Sequence, residues 1–543
     1  MNRLRPHLGI AVLLAVVAPL MFAFCWHGGL ATLGDDAMSY IGIARWLSPF
    51  RHDPLADPWV GYYSHFPPLF PVLLALTGGA WNFLVAHLLV AACAVAALGF
   101  VYAYGALRLD GPAAGLGLAV VVVLLPTFWI SSLGILSEPL FLAVTLATIV
   151  VHERADPART RDALVLGALL AAAWLTRVAG IALVAAYAAH VAIRAVARRR
   201  RPDNGELIAL IVPVAAELAW LALRPKLVAP GYGEDLGTFV EFWTQHPAYT
   251  AELSSKVLGD GWVSSFTADA WEPMSIKIVL GTVAALGLAG VARGVMRNRL
   301  DSWYTLGGLA ILFLWVFDED NQRRLLYPLV PLVLCHAAES LAAAAGRLKA
   351  AKAKRMALLT GAALVAMVCA PAIALVAKKS TDRAPLYPDS EYSLSSMTLY
   401  YTAVNLEVAN SRGAREAAVL TGLEAVGRVT PPDAKVMWVR PEYVAVLGRR
   451  TGEPAYFSWD RATFARELLR TGATHVIVST IFKADLAHHR GDAYAALAVD
   501  TPDYLLHPAY MVRNPDSGVV EFVLLKVDRE ALRRAVEALG PPR

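Results

Sequence analysis

The sequence predicts an α-helical polytopic membrane protein with about eleven transmembrane helices, its N-terminus inside and its C-terminus outside, ending in a C-terminal α/β extracytoplasmic domain. Three observations predict it. Of 543 residues, 57% are hydrophobic and only 17% charged, too little polar surface for a soluble globule of ordinary composition. The apolar residues recur in blocks about 20 long, the length a helix needs to cross roughly 30 Å of hydrocarbon. The basic residues gather in alternate loops, as short cytoplasmic loops do. A net charge of +5 on a chain this long is mild, which excludes a nucleic-acid-binding chain and leaves the placement of charge as the informative quantity.

The spans read, in order, 8–26, 81–107, 113–133, 136–151, 163–176, 178–197, 207–223, 274–292, 303–317, 325–346 and 356–376. The 163–176 span is short and 113–151 is a hairpin, so ten to twelve spans fit the pattern. With the N-terminus inside, the inner segments hold Arg3 and Arg5; Arg108; Arg154, Arg159 and Arg161; Arg194 and Arg198 to Arg201; Arg293, Arg297 and Arg299; and Arg347, Lys349, Lys352, Lys354 and Arg355. These are 19 of the 49 basic residues, against nine on the outer side before residue 378. Solvated charged faces alone do not explain recurrence at every second loop. The first span lacks a small-x-small cleavage site and reads as a retained helix. Cys25, Cys93, Cys335 and Cys369 all lie in or at the ends of apolar spans, where they read as packing residues, and the outer domain has no cysteine for a disulfide.

A membrane domain over residues 1–376 therefore precedes an outer domain over 385–543. Two long outer segments, 28–76 and 224–273, interrupt the membrane part, and loops of that length usually carry function. The outer domain alternates β-rich runs at 436–440, 474–480 and 521–527 with helical stretches near 403–428 and 461–471, the pattern of a small α/β domain. Tyr232, Trp243, Tyr249, Trp262 and Trp271 in the second long segment read as an interfacial aromatic belt, with sugar stacking the competing reading.

An ionisable group near the bilayer centre costs on the order of 2.5–3.5 kcal/mol on insertion scales, so such groups at membrane borders need partners or a function. The topology places several on one side: Asp35 and Asp36 in GDDAMSY, Glu138 in LSEPLF, Arg177 in LTRVAG, the acids Asp318, Glu319 and Asp320, and Arg323 and Arg324 in RRLLYPLVP. Each has a plainer reading. Asp35 caps the helix that begins near Ala37; Glu138, before Pro139, is a turn residue; Arg177 snorkels to the interface; and the acids and arginines of FDEDNQRR neutralise one another. Their convergence favours a site, and paired guanidiniums at the head of a span suit a phosphate.

GDDAMSY resembles the Asp-Asp/Glu-x-x-x-Tyr motif in the first outer loop of GT-C membrane glycosyltransferases, in particular the protein O-mannosyltransferase and lipid A aminoarabinose transferase group. HFPPLFPVLL (65–74), SEPLF, LTRVAG and RRLLYPLVP are similar to that group's later segments, in the same order over most of residues 1–346. The resemblance implies a GT-C-like membrane domain, and the Arg- and Ala-rich composition, like that of a high-GC bacterium, points to a cell inner (plasma) membrane. The resemblance also implies a polyprenyl-phosphate sugar donor, an acceptor hydroxyl on a lipid, glycan or protein, and inversion at the anomeric carbon on the outer face. It makes Asp35 the general base with Asp36 as second acid, and Tyr40, His65, Glu138, Arg177, Arg323 and Arg324 substrate-binding. His65 stands where the family has a lysine, and Asp36 where Glu is commoner. The relatives implied are treated as metal-independent, so no cofactor is required, although Asp35, Asp36 and Glu138 offer oxygens suited to a divalent metal. A flippase for lipid-linked saccharides would carry charges through the bilayer. Here Glu217 and Glu339 are the main charges inside spans, which speaks against a flippase; a non-catalytic membrane assembly or sensor protein with an outer binding domain is the other alternative.

Overall fold

The computed structural model describes residues 7–33, 36–63, 66–109, 111–156, 159–199, 201–225, 232–315, 319–346, 351–395, 406–454, 461–481 and 505–538. The chain is mostly helical, with a small mixed sheet at its C-terminal end. The helices are α1 (Leu8–Phe24), α2 (Ala37–Leu47), α3 (Asp57–Tyr63), α4 (Leu69–Thr77), α5 (Phe83–Arg108), α6 (Pro112–Val123), α7 (Pro126–Leu133), α8 (Glu138–His152), α9 (Thr160–Thr176), α10 (Ile181–Arg198) and α11 (Asn204–Leu223). They continue with α12 (Tyr232–Gln245), α13 (Pro247–Thr267), α14 (Met274–Met296), α15 (Leu300–Leu314), α16 (Glu319–Leu326), α17 (Val330–Gly346) and α18 (Ala351–Ser380).

Among the described residues, five helices are long and apolar enough to cross a membrane, or six if α6 and α7, bent by 60° across Leu124-Leu125, form one span. Four more apolar helices are shorter: α1, α8, α15 and α17. The eleven apolar blocks thus resolve into fewer full-length helices, because several break. The breaks have causes. Pro126 starts α7 and cannot donate back to α6, residues 134–137 separate α7 from α8, Arg177 lies between α9 and a 3₁₀ turn at Val178–Gly180, and residues 327–329 separate α16 from α17. Irregular backbone at membrane depth is tolerated where it is buried in protein or lines a cavity, and Ser137, Glu138, Arg177 and Arg324 all sit at or beside these breaks. Gly180 makes one of them possible: a β-carbon there would lie 2.3 Å from the Ala173 carbonyl oxygen.

The two long segments between spans are helical. The first forms α2 to α4. In the second, α13 is no surface loop: Ser254, Val257, Gly261 and the run Trp262–Thr267 are buried. Trp262 packs on Phe266 with ring centroids 4.8 Å apart and donates to the Leu280 carbonyl at 3.0 Å, so it is a core residue and not part of a belt. Trp271 and Tyr249 are exposed, Trp243 donates to the Leu314 carbonyl, and the Tyr232 side chain lies outside the described residues.

The C-terminal part comprises α19 (Leu406–Val429), β1 (Lys435–Trp438), α20 (Pro441–Val446), β2 (Thr451–Pro454), α21 (Arg461–Thr471), β3 (His475–Ser479), β4 (Leu506–Arg513), β5 (Val520–Val527) and α22 (Arg529–Ala538). The sheet order is β2-β1-β3-β5-β4, with β1 parallel to β2 and β3 and β5 antiparallel to β3 and β4. Helix α19 lies on it, Gly422 letting the Phe522 ring sit where a β-carbon would be 2.3 Å from it. One apolar cluster joins this domain to the bundle, running from Met38, Tyr40 and Phe70 to Leu420, Trp438 and Tyr443.

The far end of the bundle is tied by charge. Helix α5 carries Arg108 about 39 Å from its N-terminus, at 1.5 Å per residue. There the fully buried Asp301 takes Arg108 Nε at 3.0 Å, Arg299 Nη2 at 2.6 Å and the Tyr104 hydroxyl at 2.9 Å. Arg299 reaches on to Glu339 at 2.8 Å, so the Glu339 charge is one half of an interhelical pair. Removing one partner from a buried ionic cluster leaves the other charges uncompensated, typically at 3–5 kcal/mol. Asp301→Ala is therefore expected to lower stability by about that amount, read as a clear fall in melting temperature of the detergent-solubilised protein; an unchanged melting curve would show the cluster contributes nothing.

Candidate active site

Four charged side chains from four separate segments meet at the end of the bundle that bears the sheet domain. Glu138, the first residue of α8, is fully buried. Its Oε1 forms ion pairs with Arg177 Nη1 at 2.7 Å and with Arg324 Nε at 2.5 Å. Arg324, on α16, also pairs through Nη2 with Asp36 Oδ2. Asp36, Arg324, Glu138 and Arg177 therefore form one continuous chain of alternating charge.

Local structure explains why these side chains are available. Asp36 is the N-cap of α2, a position where the side chain ordinarily accepts a backbone N–H of the first turn. It makes no such bond and turns to Arg324 instead. Ser137, the N-cap of α8, likewise makes no capping bond; its hydroxyl meets the Tyr40 hydroxyl at 3.0 Å and accepts from Arg177 Nη1 at 3.1 Å. Tyr40 is itself fixed by edge-on contacts with Phe66 and Phe70, at centroid distances of 5.4 and 5.2 Å. Two helix N-termini, which favour negative charge, thus face the cluster with their capping side chains engaged elsewhere.

The carboxyl of Asp36, about a quarter exposed, is pushed up by burial, but the guanidiniums of Arg324, Arg177 and Arg440 outweigh that and hold it below the ordinary carboxylate range. It is anionic at neutral pH. The field that keeps it so comes partly from Arg440, in the sheet domain, which Glu442 holds at 2.6 Å.

Beside the cluster lies a small, partly open cleft lined by Phe141, Ala179, Tyr304, Leu325 and Leu329, among others. Glu138 and Arg177 are its only charged lining residues among those described. Tyr327, whose ring is buried, has no hydrogen-bond partner for its hydroxyl among the described residues and lies within electrostatic reach of Glu138.

The structure thus brings together Asp36, Tyr40, Glu138, Arg177 and Arg324. It does not place Arg323 with them: that guanidinium points to α13, where it donates to Ser264 Oγ at 3.2 Å and pairs with Asp269 at 3.5 Å. Asp35, His65 and Asp318 lie outside the described residues, as do the side chains of Glu319 and Asp320. As for a metal, no three His, Cys, Asp or Glu side chains cluster to hold one among the described residues. Of the three acids that offer oxygens to a divalent metal, Asp36 and Glu138 are bridged by Arg324 and Asp35 lies outside the described residues. Sequence reading did not single out Ser137 or Tyr327, although both lie inside quoted motifs, nor Arg440, which no local pattern marks.

By sequence, the chain matches no family model and no curated protein. By structure it is similar to ArnT from Cupriavidus metallidurans bound to undecaprenyl phosphate, with a TM-score of 0.53 at 14% identity, covering 98% of this chain and 99% of that one. The apo form of the same ArnT gives a TM-score of 0.52 at 14% identity, over 99% and 100% of the two chains. At this identity the likeness is one of fold, spanning both the helical bundle and the sheet domain, and it agrees with the fold class expected from the sequence.

Proposed function

We propose that this chain is an integral membrane glycosyltransferase. It takes a sugar from a polyprenyl-phosphate donor and passes it, with inversion, to an acceptor hydroxyl on a lipid, glycan or protein at the outer face of a cell inner membrane. The observation that carries this reading is an apolar cleft whose only charged lining residues, among those described, belong to a cluster holding two guanidiniums. An apolar lining beside paired guanidiniums suits the chemistry of a ligand with a hydrocarbon tail and a phosphate head. The shared fold supports it, since one of the ArnT structures holds undecaprenyl phosphate.

In the reaction the acceptor oxygen attacks the anomeric carbon as the bond from that carbon to the phosphate oxygen breaks, and the polyprenyl phosphate leaves as an anion. Arg324 and Arg177 offset the charge that grows on the leaving phosphate, the role preorganised cations fill in such sites. Asp35 takes the acceptor's proton. Asp36, held anionic by its arginines, is too weak a base for that task and instead fixes Arg324. Single displacement needs no enzyme nucleophile, so one base suffices.

The test is transfer by purified protein supplied with undecaprenyl-phosphate-linked sugars, followed by mass spectrometry of lipid and acceptor. A general base contributes typically 10²–10⁴-fold, so Asp35→Asn is expected to reduce transfer by at least about 10²-fold. The assignment of Asp35 as the base fails if Asp35→Asn transfers sugar at the wild-type rate, and the transferase reading fails if the wild type consumes no such donor.

A further inference from the structure

The segment that carries Asp35 and Asp36 is gripped from the sheet domain on both sides. Ahead of the acids, the Leu33 amide donates to Glu416 Oε2 at 3.0 Å, and the Tyr443 hydroxyl donates to the Leu33 carbonyl at 2.7 Å. Three residues earlier, the Leu30 amide donates to the Tyr392 carbonyl at 2.9 Å. After the acids, Ser39 Oγ donates to Glu442 Oε1 at 3.2 Å. Both backbone groups of Leu33 are thus satisfied by side chains some four hundred positions away in sequence.

These contacts are buried, with Leu33, Tyr443 and Glu442 at 0% exposure and Glu416 at 5%. Apolar packing already joins the two parts through Met38, Tyr40, Leu420 and Trp438, so attachment alone does not call for two carboxylates in a dry interface. Buried polar contacts add direction: they are satisfied only in one register, whereas apolar surfaces tolerate sliding. From the bundle side, His87 Nε2 meets the Gly29 carbonyl at 2.9 Å and His27 Nδ1 meets it at 3.2 Å. The segment from Gly29 to Leu33 is therefore held between the two domains and has no helix of its own to hold it.

We propose that the sheet domain is a positioning element for the acidic segment, with Tyr443, Glu416 and Glu442 as the residues that set where Asp35 and Asp36 stand. Their contacts with this segment are to its backbone and to Ser39, so they act through the loop. The kinetic consequence rests on the transferase reading; the grip itself does not.

The test uses the full-length protein in detergent, as Tyr443→Phe and Glu416→Gln variants. Tyr443→Phe removes one hydroxyl and leaves the ring in the core. Hydrogen–deuterium exchange of the peptide covering residues 28–40 reads the grip, because exchange follows local opening. Both variants are expected to exchange this peptide faster than wild type, by about tenfold for Tyr443→Phe, as loss of a buried hydrogen bond implies. Transfer kinetics read positioning: kcat falls about tenfold or more while the donor KM stays within about twofold, since misplacement by 1 Å is enough to cost on the order of 10²-fold. Wild-type exchange in both variants overturns the proposal, and so does faster exchange with unchanged kcat. A general loss of fold would raise exchange throughout the sheet and shift KM together with kcat, which also counts against it. If the wild type transfers no sugar, the transferase reading fails, and protection of residues 28–40 lost in both variants still supports the grip.

Discussion

Glu138→Ala is expected to abolish sugar transfer and to destabilise the protein by about 3–5 kcal/mol, the usual cost of removing one partner from a buried ionic cluster. Glu138 is fully buried, and its single Oε1 pairs with both Arg177 and Arg324. Without it two guanidiniums face one another, with Asp36 left to compensate and paired directly with Arg324 but not, among the described residues, with Arg177. The arginines then separate, and a phosphate loses the pair of donors that would meet it. Misplacing one such group costs on the order of 10²-fold, so loss of both is expected to take transfer below about 10⁻³ of wild type. Glu138→Gln separates charge from shape. It keeps the volume and an acceptor oxygen, so its melting temperature should lie between those of wild type and Glu138→Ala, while transfer still falls steeply. Thermal melts and donor consumption measured on the same preparations check both parts. A Glu138→Gln variant with wild-type transfer would show that the carboxylate serves only to hold the fold.

Much of this cluster was legible in the sequence because its members are charges in apolar surroundings, where solvation makes them conspicuous. Glu138, Arg177 and Arg324 each interrupt an apolar run, and topology alone put them on one side. What was not legible was rotation. Arg323 and Arg324 are adjacent, but successive helix residues point about 100° apart, and α16 therefore sends one to Asp36 and Glu138 and the other to Ser264 and Asp269. Capping is a similar case: the N-cap of α2 is Asp36 rather than Asp35, which only backbone geometry reveals. The outer domain's three β-rich runs correspond to β1, β3 and β5. The flanking strands β2 (TGEP) and β4 (LHPAYMVR) carry glycine or proline and lie at the sheet edges, where such residues are tolerated and the alternation signal is weak. Arg440, Glu442 and Tyr443 sit in a soluble stretch of ordinary composition. Their role arises from a domain contact that no local pattern encodes.

The pairing of Arg324 with Asp36 makes a second large effect measurable and gives it a pH signature. Arg324→Ala removes the one side chain that touches both carboxylates of the cluster, and transfer is expected to fall about 10³-fold, the upper range for one preorganised charge-stabilising group. Asp36→Asn leaves Arg324 tied to Glu138 and is expected to cost less. If Asp36 acts by fixing Arg324, the double variant should be hardly worse than Arg324→Ala alone, whereas independent roles would make the two losses multiply. The pH dependence follows from the sign of the Asp36 shift. Its carboxyl in the folded protein is held below the ordinary value of about 3.9 by Arg324, Arg177 and Arg440 against the opposing push of burial. The stability this pairing contributes is therefore fully present above the unfolded value and is lost only as pH falls through the lower folded one. The difference in melting temperature between wild type and Asp36→Asn should accordingly stay constant from about pH 8 to about pH 5 and begin to close only below about pH 4. Closure already between pH 7 and pH 5 would mean that Asp36 takes up a proton near neutrality, which would return it to contention as the base and remove the assignment of that role to Asp35.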